Sequence, residues 1–345
     1  MKSKIMVLMM LLSLCIVLSS GCTDTGDDPG SSYGSDELIV AVSVVPQAEF
    51  VEKIAGDSVE VIVMVPPGAD PHSYEPSPSQ LVDLSNAKMY AMVGSGITIE
   101  DALIDKIADL NPDMLIVDCS EGITLKEMEA HSHEHEVEGE EEHIHDAEVE
   151  DGHDVESEEE HDHEAEYEEE HEDEHVEEEH EHSESMDPHI WTSPDNVKIM
   201  VENIYEGLVE IDPENEGTYL ENKNAYLAEL DALDEQIKAT LSGKEGSSFM
   251  VYHPAWGYFA NHYGLIQVPV EIEGKEPSVK DMQVIIDEAN NKDIKVIFVQ
   301  SGFSTVSAEA IASEIDGEVV EVDPLAKDYI DNLAKVAEAF EKGLA

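Results

Sequence analysis

From Leu38 onward, short apolar runs alternate with stretches of helical period, and this alternation restricts the fold more than any other feature. LIVAVSVV at 38–45, VEVIVMV at 59–65, MYAMV at 89–93 and MLIVD at 114–118 are rich in β-branched residues. Nearly continuous apolar strands separated by helices, here 47–56, 78–86 and 99–109, imply a parallel sheet covered on both faces. The same series recurs further on, with strands at 247–252, 266–272, 294–299 and 318–322. Helices at 255–263, 278–290, 305–315 and 326–343 lie between or after them.

Between the two series lie a helix at 195–211 and a longer one that starts at Asp212-Pro213 and runs to about Leu241. Asp followed by Pro at the first helical position is a start signal. Leu220, Leu227, Leu230, Leu233, Ile237 and Leu241 fall on one stripe. About thirty residues give a rod of roughly 45 Å. The expected fold is therefore α/β, with two lobes that each hold a central, mostly parallel sheet flanked by helices. The lobes span 37–212 and 243–345, and the long rigid helix at 213–242 joins them.

The charge is distributed unevenly. The 345 residues include 81 acidic ones against 17 Lys and no Arg, a formal net charge of −64. This excludes a chain that binds nucleic acid by neutralising phosphates. Residues 131–185 hold 29 of the acids, 12 of the 16 His and no Lys. Lacking apolar periodicity, this stretch cannot build a core and is expected to form a disordered insert over 120–185 within the first lobe. It follows the strand at 114–118, and ligands bind at the carboxyl ends of strands in open α/β sheets.

At the start, Lys2 and Lys4 precede an apolar run from Ile5 to Leu18 that ends in Ser19-Ser20-Gly21-Cys22. This pattern predicts a signal peptide at 1–21, cleaved before a Cys22 that carries lipid. It resembles a lipobox, with Leu18 one place further from the Cys than usual. Residues 22–36, rich in Asp, Gly and Ser, read as a flexible tether. The folded part then lies on the extracytoplasmic face of the membrane, held there by lipid. Cys119, the one thiol left outside the signal and the lipid site, is expected to be buried and inert.

Outside the acidic insert the His residues are 72, 189, 253 and 262. Three adjoin Pro, in Asp70-Pro71-His72, Asp187-Pro188-His189 and His253-Pro254, and Asp323-Pro324 is a fourth corner of that kind. His72 and His189 belong to the first lobe, His253 and Asp323 to the second, so together they would line a cleft. Three imidazoles and a carboxylate suit zinc. The same residues also read as four unrelated loop positions, because spacings of 117, 64 and 70 are too long to be a metal motif. His262, on the exposed end of a helix, reads as structural.

The motifs around these residues carry a resemblance. Pro66-Pro67-Gly68-Ala69-Asp70-Pro71-His72-Ser73-Tyr74-Glu75-Pro76-Ser77-Pro78, Asp187-Pro188-His189-Ile190-Trp191, His253-Pro254-Ala255-Trp256-Gly257-Tyr258-Phe259 and Asp323-Pro324-Leu325 occur in that order. They resemble the ligand motifs of the ZnuA-like solute-binding lipoproteins of ABC importers, over about 37–345. The resemblance implies metal ligands His72, His189, His253 and Asp323. It also implies Zn2+ as the transported ligand, a membrane permease with its ATPase as partners, a monomer, and no catalysis. Manganese and iron members carry Glu where His253 stands, so the imidazole favours zinc. Alternatives are a manganese, iron or nickel importer component of the same fold, and a surface adhesin or metal-storage lipoprotein. A zinc hydrolase is disfavoured because no residue stands out as a general base.

Within the insert, His131, His133 and His135, His143 and His145, His161 and His163, and His180 and His182 stand two apart. On an extended chain such pairs point the same way and can share an ion. They are candidate accessory ligands that would collect zinc for the cleft; the plainer reading is a solvated polyanionic spacer.

Overall fold

The computed structural model describes residues 38–128, 186–272, 274–301 and 305–344. Strands β1 (Leu38–Val42), β2 (Val59–Val63), β3 (Met89–Met92) and β4 (Leu115–Asp118) form one sheet in the order β2-β1-β3-β4, all parallel. Val40 lies opposite both Val61 and Met89, which fixes the register of the three inner positions. Strands β5 (Ser248–Val251), β6 (Ile266–Pro269), β7 (Val296–Gln300) and β8 (Glu318–Val322) repeat the plan in the order β6-β5-β7-β8. The strand order reverses between β1 and β3 and between β5 and β7. At such reversals the connecting segments part and leave a crevice at the carboxyl ends of the strands.

The apolar runs divide by position. β1, β3, β5 and β7 are buried almost throughout, whereas β2 and β4 are edge strands and half-buried, with Ile116 at 38% exposure. Helices α1 (Val45–Ala55), α2 (Pro78–Ser85) and α3 (Thr98–Leu110) follow the strands of the first sheet. Ser77 caps α2 in a capping box: its hydroxyl accepts the Gln80 amide at 3.3 Å, and the Gln80 side chain accepts the Ser77 amide at 3.0 Å. In the second lobe, α6 (Gly257–Tyr263), α7 (Val279–Asn291), α8 (Val306–Glu314) and α9 (Tyr329–Gly343) play the same part. Phe249, Phe298, Trp256 and Phe259 pack around Phe340 of α9, with ring centroids 4.4–5.4 Å from it.

α4 (Pro194–Ile211) and α5 (Glu216–Thr240) come between the sheets in the chain. The long helix is shorter than the sequence suggests. Asp212-Pro213 opens a single 3-10 turn instead of the helix, because the Asp212 carboxylate accepts the Tyr219 hydroxyl at 2.6 Å and the Asn215 amide at 2.7 Å. Its buried stripe also differs, running Tyr219, Lys223, Tyr226, Leu230, Leu233, Ile237, while Leu220 is 42% exposed. Two tyrosines and a lysine can occupy it because each has a polar partner: Tyr226 donates to Glu49 of α1 at 3.0 Å, and Lys223 pairs with Glu202 of α4 at 2.7 Å. α5 thus packs on α1 and α4 from the first lobe and on α9 from the second. At about 37 Å for 25 residues, it is a strut lying along both lobes.

Cys119 is fully buried, and burial pushes its thiol well above the ordinary range. Beside it, at the reversal point of the first sheet, Glu100 of α3 is 2% exposed, and burial raises its carboxyl. It accepts the Ser43 hydroxyl and the amides of Val93 (2.5 Å) and Gly94 (2.9 Å), so it holds the loop after β3. Gly94 sits there at φ +82°, and a Cβ would lie 1.8 Å from Asp118 Oδ1. Gly94→Ala is expected to destabilise the protein by about 2–4 kcal/mol, combining left-handed backbone strain with a close contact. The urea midpoint should fall while the slope of the transition stays unchanged.

Candidate metal centre

Three of the four sequence candidates meet. His72 follows β2 on a loop, His189 enters a short 3-10 turn ahead of α4, and His253 leaves β5. His189 Nε2 lies 3.3 Å from His72 Nε2 and 3.2 Å from His253 Nε2. The ring centroids are 5.1–5.2 Å apart in edge-on arrangement. Tetrahedral zinc at about 2.0–2.1 Å from each nitrogen requires N···N edges of about 3.3–3.4 Å. The donors therefore already stand at the spacing such an ion needs.

Carboxylates set the tautomers of two rings. Asp187 Oδ1 lies 2.8 Å from His189 Nδ1 and accepts the His189 backbone amide at 2.9 Å. Glu271 Oε2 lies 2.7 Å from His253 Nδ1. With each Nδ1–H donated outward, the Nε2 lone pair is left free to face the cleft. His72 is positioned through its backbone, whose amide donates to Asp70 Oδ1 at 2.9 Å. Burial and the neighbouring imidazoles push the His72 imidazole down to about 4, and burial also lowers that of His189. Both rings are thus neutral donors at neutral pH.

The His189 segment is tied from both lobes. The Pro188 carbonyl accepts the Ser95 hydroxyl at 2.6 Å, and the Asp187 carbonyl accepts the Tyr258 hydroxyl of α6 at 3.1 Å. The Asp187 amide donates to the Lys126 carbonyl at 2.7 Å. Gly257 makes room for the Asp187 carboxylate, since a Cβ there would lie 2.6 Å from Oδ2. Trp191 donates to the Pro324 carbonyl at 2.7 Å, drawing the 323–325 corner of the second lobe to the site.

Asp323 is not part of the convergent group, which among the described residues is His72, His189 and His253. Its carboxylate accepts the Leu325 amide at 2.8 Å, while Pro324 and Leu325 reach the cavity beside the imidazoles. Burial raises the Asp323 carboxyl. His262 is partly buried and not on an exposed helix end: its Nε2 lies 2.8 Å from Asp234 of α5 and its Nδ1 3.4 Å from Asp195 of α4. Trp191 lines the cavity, whereas Trp256 packs into the aromatic cluster around Phe340. Cys22 and the insert histidines 131, 133, 135, 143, 145, 161, 163, 180 and 182 lie outside the described residues.

Sequence reasoning missed Glu271 and Gln300, which lie 18 and 47 residues beyond His253 with no motif to mark them. Asp187 was visible in its Asp-Pro-His motif, but nothing in the motif assigns it to the imidazole.

Comparison with known proteins agrees with this geometry. The family described as ZnuA, zinc-uptake complex component A, periplasmic, matches residues 40–343. The high-affinity zinc uptake system protein ZnuA of Bacillus subtilis is 28% identical over 307 residues, 88% of this chain and 84% of that protein. The zinc-binding protein AdcA of Streptococcus pyogenes is 27% identical over 94% of this chain, which spans only 56% of AdcA. The manganese-binding lipoprotein MntA of Halalkalibacterium halodurans is 24% identical over 97% of both chains. A crystal structure of ZnuA superposes with a TM-score of 0.72 at 34% identity, covering 90% of this chain and all of that one. The chain belongs to the ZnuA family, and it is a metal-binding transport component of an ABC importer and not an enzyme.

Proposed function

We propose that this chain captures Zn2+ between its two lobes and delivers it to a membrane permease driven by an ATPase. The observation that carries the reading is the convergence of three Nε2 atoms, with that of His189 3.3 Å from His72 and 3.2 Å from His253. An all-imidazole face favours a nitrogen-preferring ion over manganese, which seeks carboxylate and water oxygens. The zinc-named relatives at 27–28% identity support the same choice, and the manganese-binding relative at 24% is the specific reason to test it.

In this reading His72, His189 and His253 hold the ion, and Asp323 joins them by giving up the Leu325 amide. The lobes are 37–212 and 243–345, and the helix between them limits domain closure, so uptake and release proceed by small shifts of the ligand loops. Lipid on Cys22 keeps the protein, a monomer, at the outer face of the membrane, and the paired histidines of the insert collect zinc as accessory donors. The two ends of the insert are held side by side, because Glu127 and Met186 form an antiparallel bridge. Its removal therefore leaves the cleft residues in place.

Competitive titration of the full chain should give one tight zinc site, read as a change in Trp191 fluorescence. His189→Ala should abolish it, and deletion of 131–185 should preserve it. Loss of all tight binding on deletion would move the metal site to the insert.

The pH dependence carries a sign. A ligand must be unprotonated to bind, and His72 releases no proton at neutral pH because its imidazole titrates near 4. His72's share of the loss of zinc affinity should therefore come as pH falls towards 4. A solvent-exposed imidazole would cause that loss near 6.5. Titrations from pH 7.5 to 4, with and without His72→Ala, measure that share.

A further inference from the structure

Helix α6 meets the metal centre in two ways. His253 lies just ahead of it and faces His189, and within the helix Tyr258 reaches the segment that carries His189. Tyr258 is 4% exposed, so its hydroxyl must find its partners within the protein. It donates to the Asp187 carbonyl at 3.1 Å and accepts the Lys126 amide at 3.0 Å. The Asp187 amide in turn donates to the Lys126 carbonyl at 2.7 Å. Three hydrogen bonds thus close a ring through three separate segments of the chain.

These segments differ in origin. Lys126 stands at the root of the insert, next to Glu127, which bridges to Met186. Asp187 follows Met186; its carboxylate accepts the His189 amide at 2.9 Å and lies 2.8 Å from Nδ1 of the same residue. Tyr258 is the member from the second lobe, and the Lys126 ammonium sits over its ring, 5.8 Å from the centroid. The ring of bonds is therefore closed only while α6 lies against Asp187. The Ser95 tie to Pro188 is of another kind, because both of its ends belong to the first lobe. A hydroxyl offers one proton and two lone pairs, so removing that of Tyr258 takes a partner from the Lys126 amide and from the Asp187 carbonyl together.

We propose that Tyr258 is a positioning residue for the metal centre, and that its hydroxyl couples an ion in the cleft to the root of the insert. The proposal rests on the zinc-capture reading above. Seating α6 against Asp187 closes the ring of bonds and sets His189 opposite His253. An ion held by those two imidazoles draws the same two segments together. Ion binding and ring closure thus favour each other, and by linkage the dependence is reciprocal. The ion protects the root from opening, and an open root speeds loss of the ion.

The test uses the full chain and two variants of α6, Tyr258→Phe and Tyr263→Phe. Each loses one hydroxyl from the same helix, but Tyr263 donates to Asp234 of α5 at 3.1 Å and has no part in the ring. Two quantities are read: hydrogen exchange of the Lys126 amide with and without zinc, and the rate at which a chelator removes zinc. In the parent chain zinc should slow exchange at Lys126 by about tenfold or more. Tyr258→Phe should abolish that protection and speed zinc release by about tenfold, with the association rate unchanged. Tyr263→Phe should leave both at the parent values. Retained protection or parent-like release in Tyr258→Phe would overturn the proposal. So would equal effects in Tyr263→Phe, which would mark a general loosening of α6, or a parent chain whose Lys126 exchange ignores bound zinc. Tight zinc that survives His189→Ala, or a parent chain without a tight site, would instead overturn the zinc-capture reading. In that case Lys126 exchange without metal still tests the ring, since Tyr258→Phe should speed it and parent-like exchange would overturn it.

Discussion

The site depends on how one short segment is held. Asp187, Pro188 and His189 carry no regular hydrogen-bond ladder, yet their backbone is fixed from three directions. Ser95 on the first sheet's side, Tyr258 on α6 and Lys126 at the start of the insert each bond to it. Because Tyr258 belongs to the second lobe, the imidazole shared by both N···N contacts is positioned by the junction of the lobes. Any relative movement of the lobes must pass through these bonds and through the Trp191–Pro324 contact.

Electrostatics follow the same division of labour. The imidazoles face one another, and carboxylates stand one hydrogen bond further out, Asp187 on His189 and Glu271 on His253. This arrangement leaves the lone pairs fixed by tautomer and not by chance. A site of clustered carboxylates would repel itself; here imidazoles stand together, two of them held by outward hydrogen bonds and His72 through its backbone amide.

Much of this was legible in the sequence. Strand runs such as 318–322 and helix starts such as Ser77-Pro78 match the observed elements because each is set by local periodicity or capping. Three of the four proposed ligands meet because Pro fixes the corners that present them. What the sequence did not carry was set by tertiary contact. The buried stripe of α5 uses Tyr219, Lys223 and Tyr226, which look like surface residues until Glu202 and Glu49 are placed opposite. Which apolar strands are edges depends on sheet order, which periodicity does not encode. Glu271 and Gln300 reach the cleft only because β5, β6 and β7 are adjacent in space, and no spacing along the chain announces that. Asp323 matches its motif, yet its carboxylate turns back to its own loop.

The bridge between Glu127 and Met186 has an entropic consequence. When two points of a chain are fixed side by side, the cost of closing the segment between them grows only with the logarithm of its length. Doubling that segment costs about 0.6 kcal/mol. By this relation the number of residues between these two points weighs little on the stability of the fold that carries them. A change of length there leaves the bridge in place, and the packing around the three imidazoles stays under separate constraint.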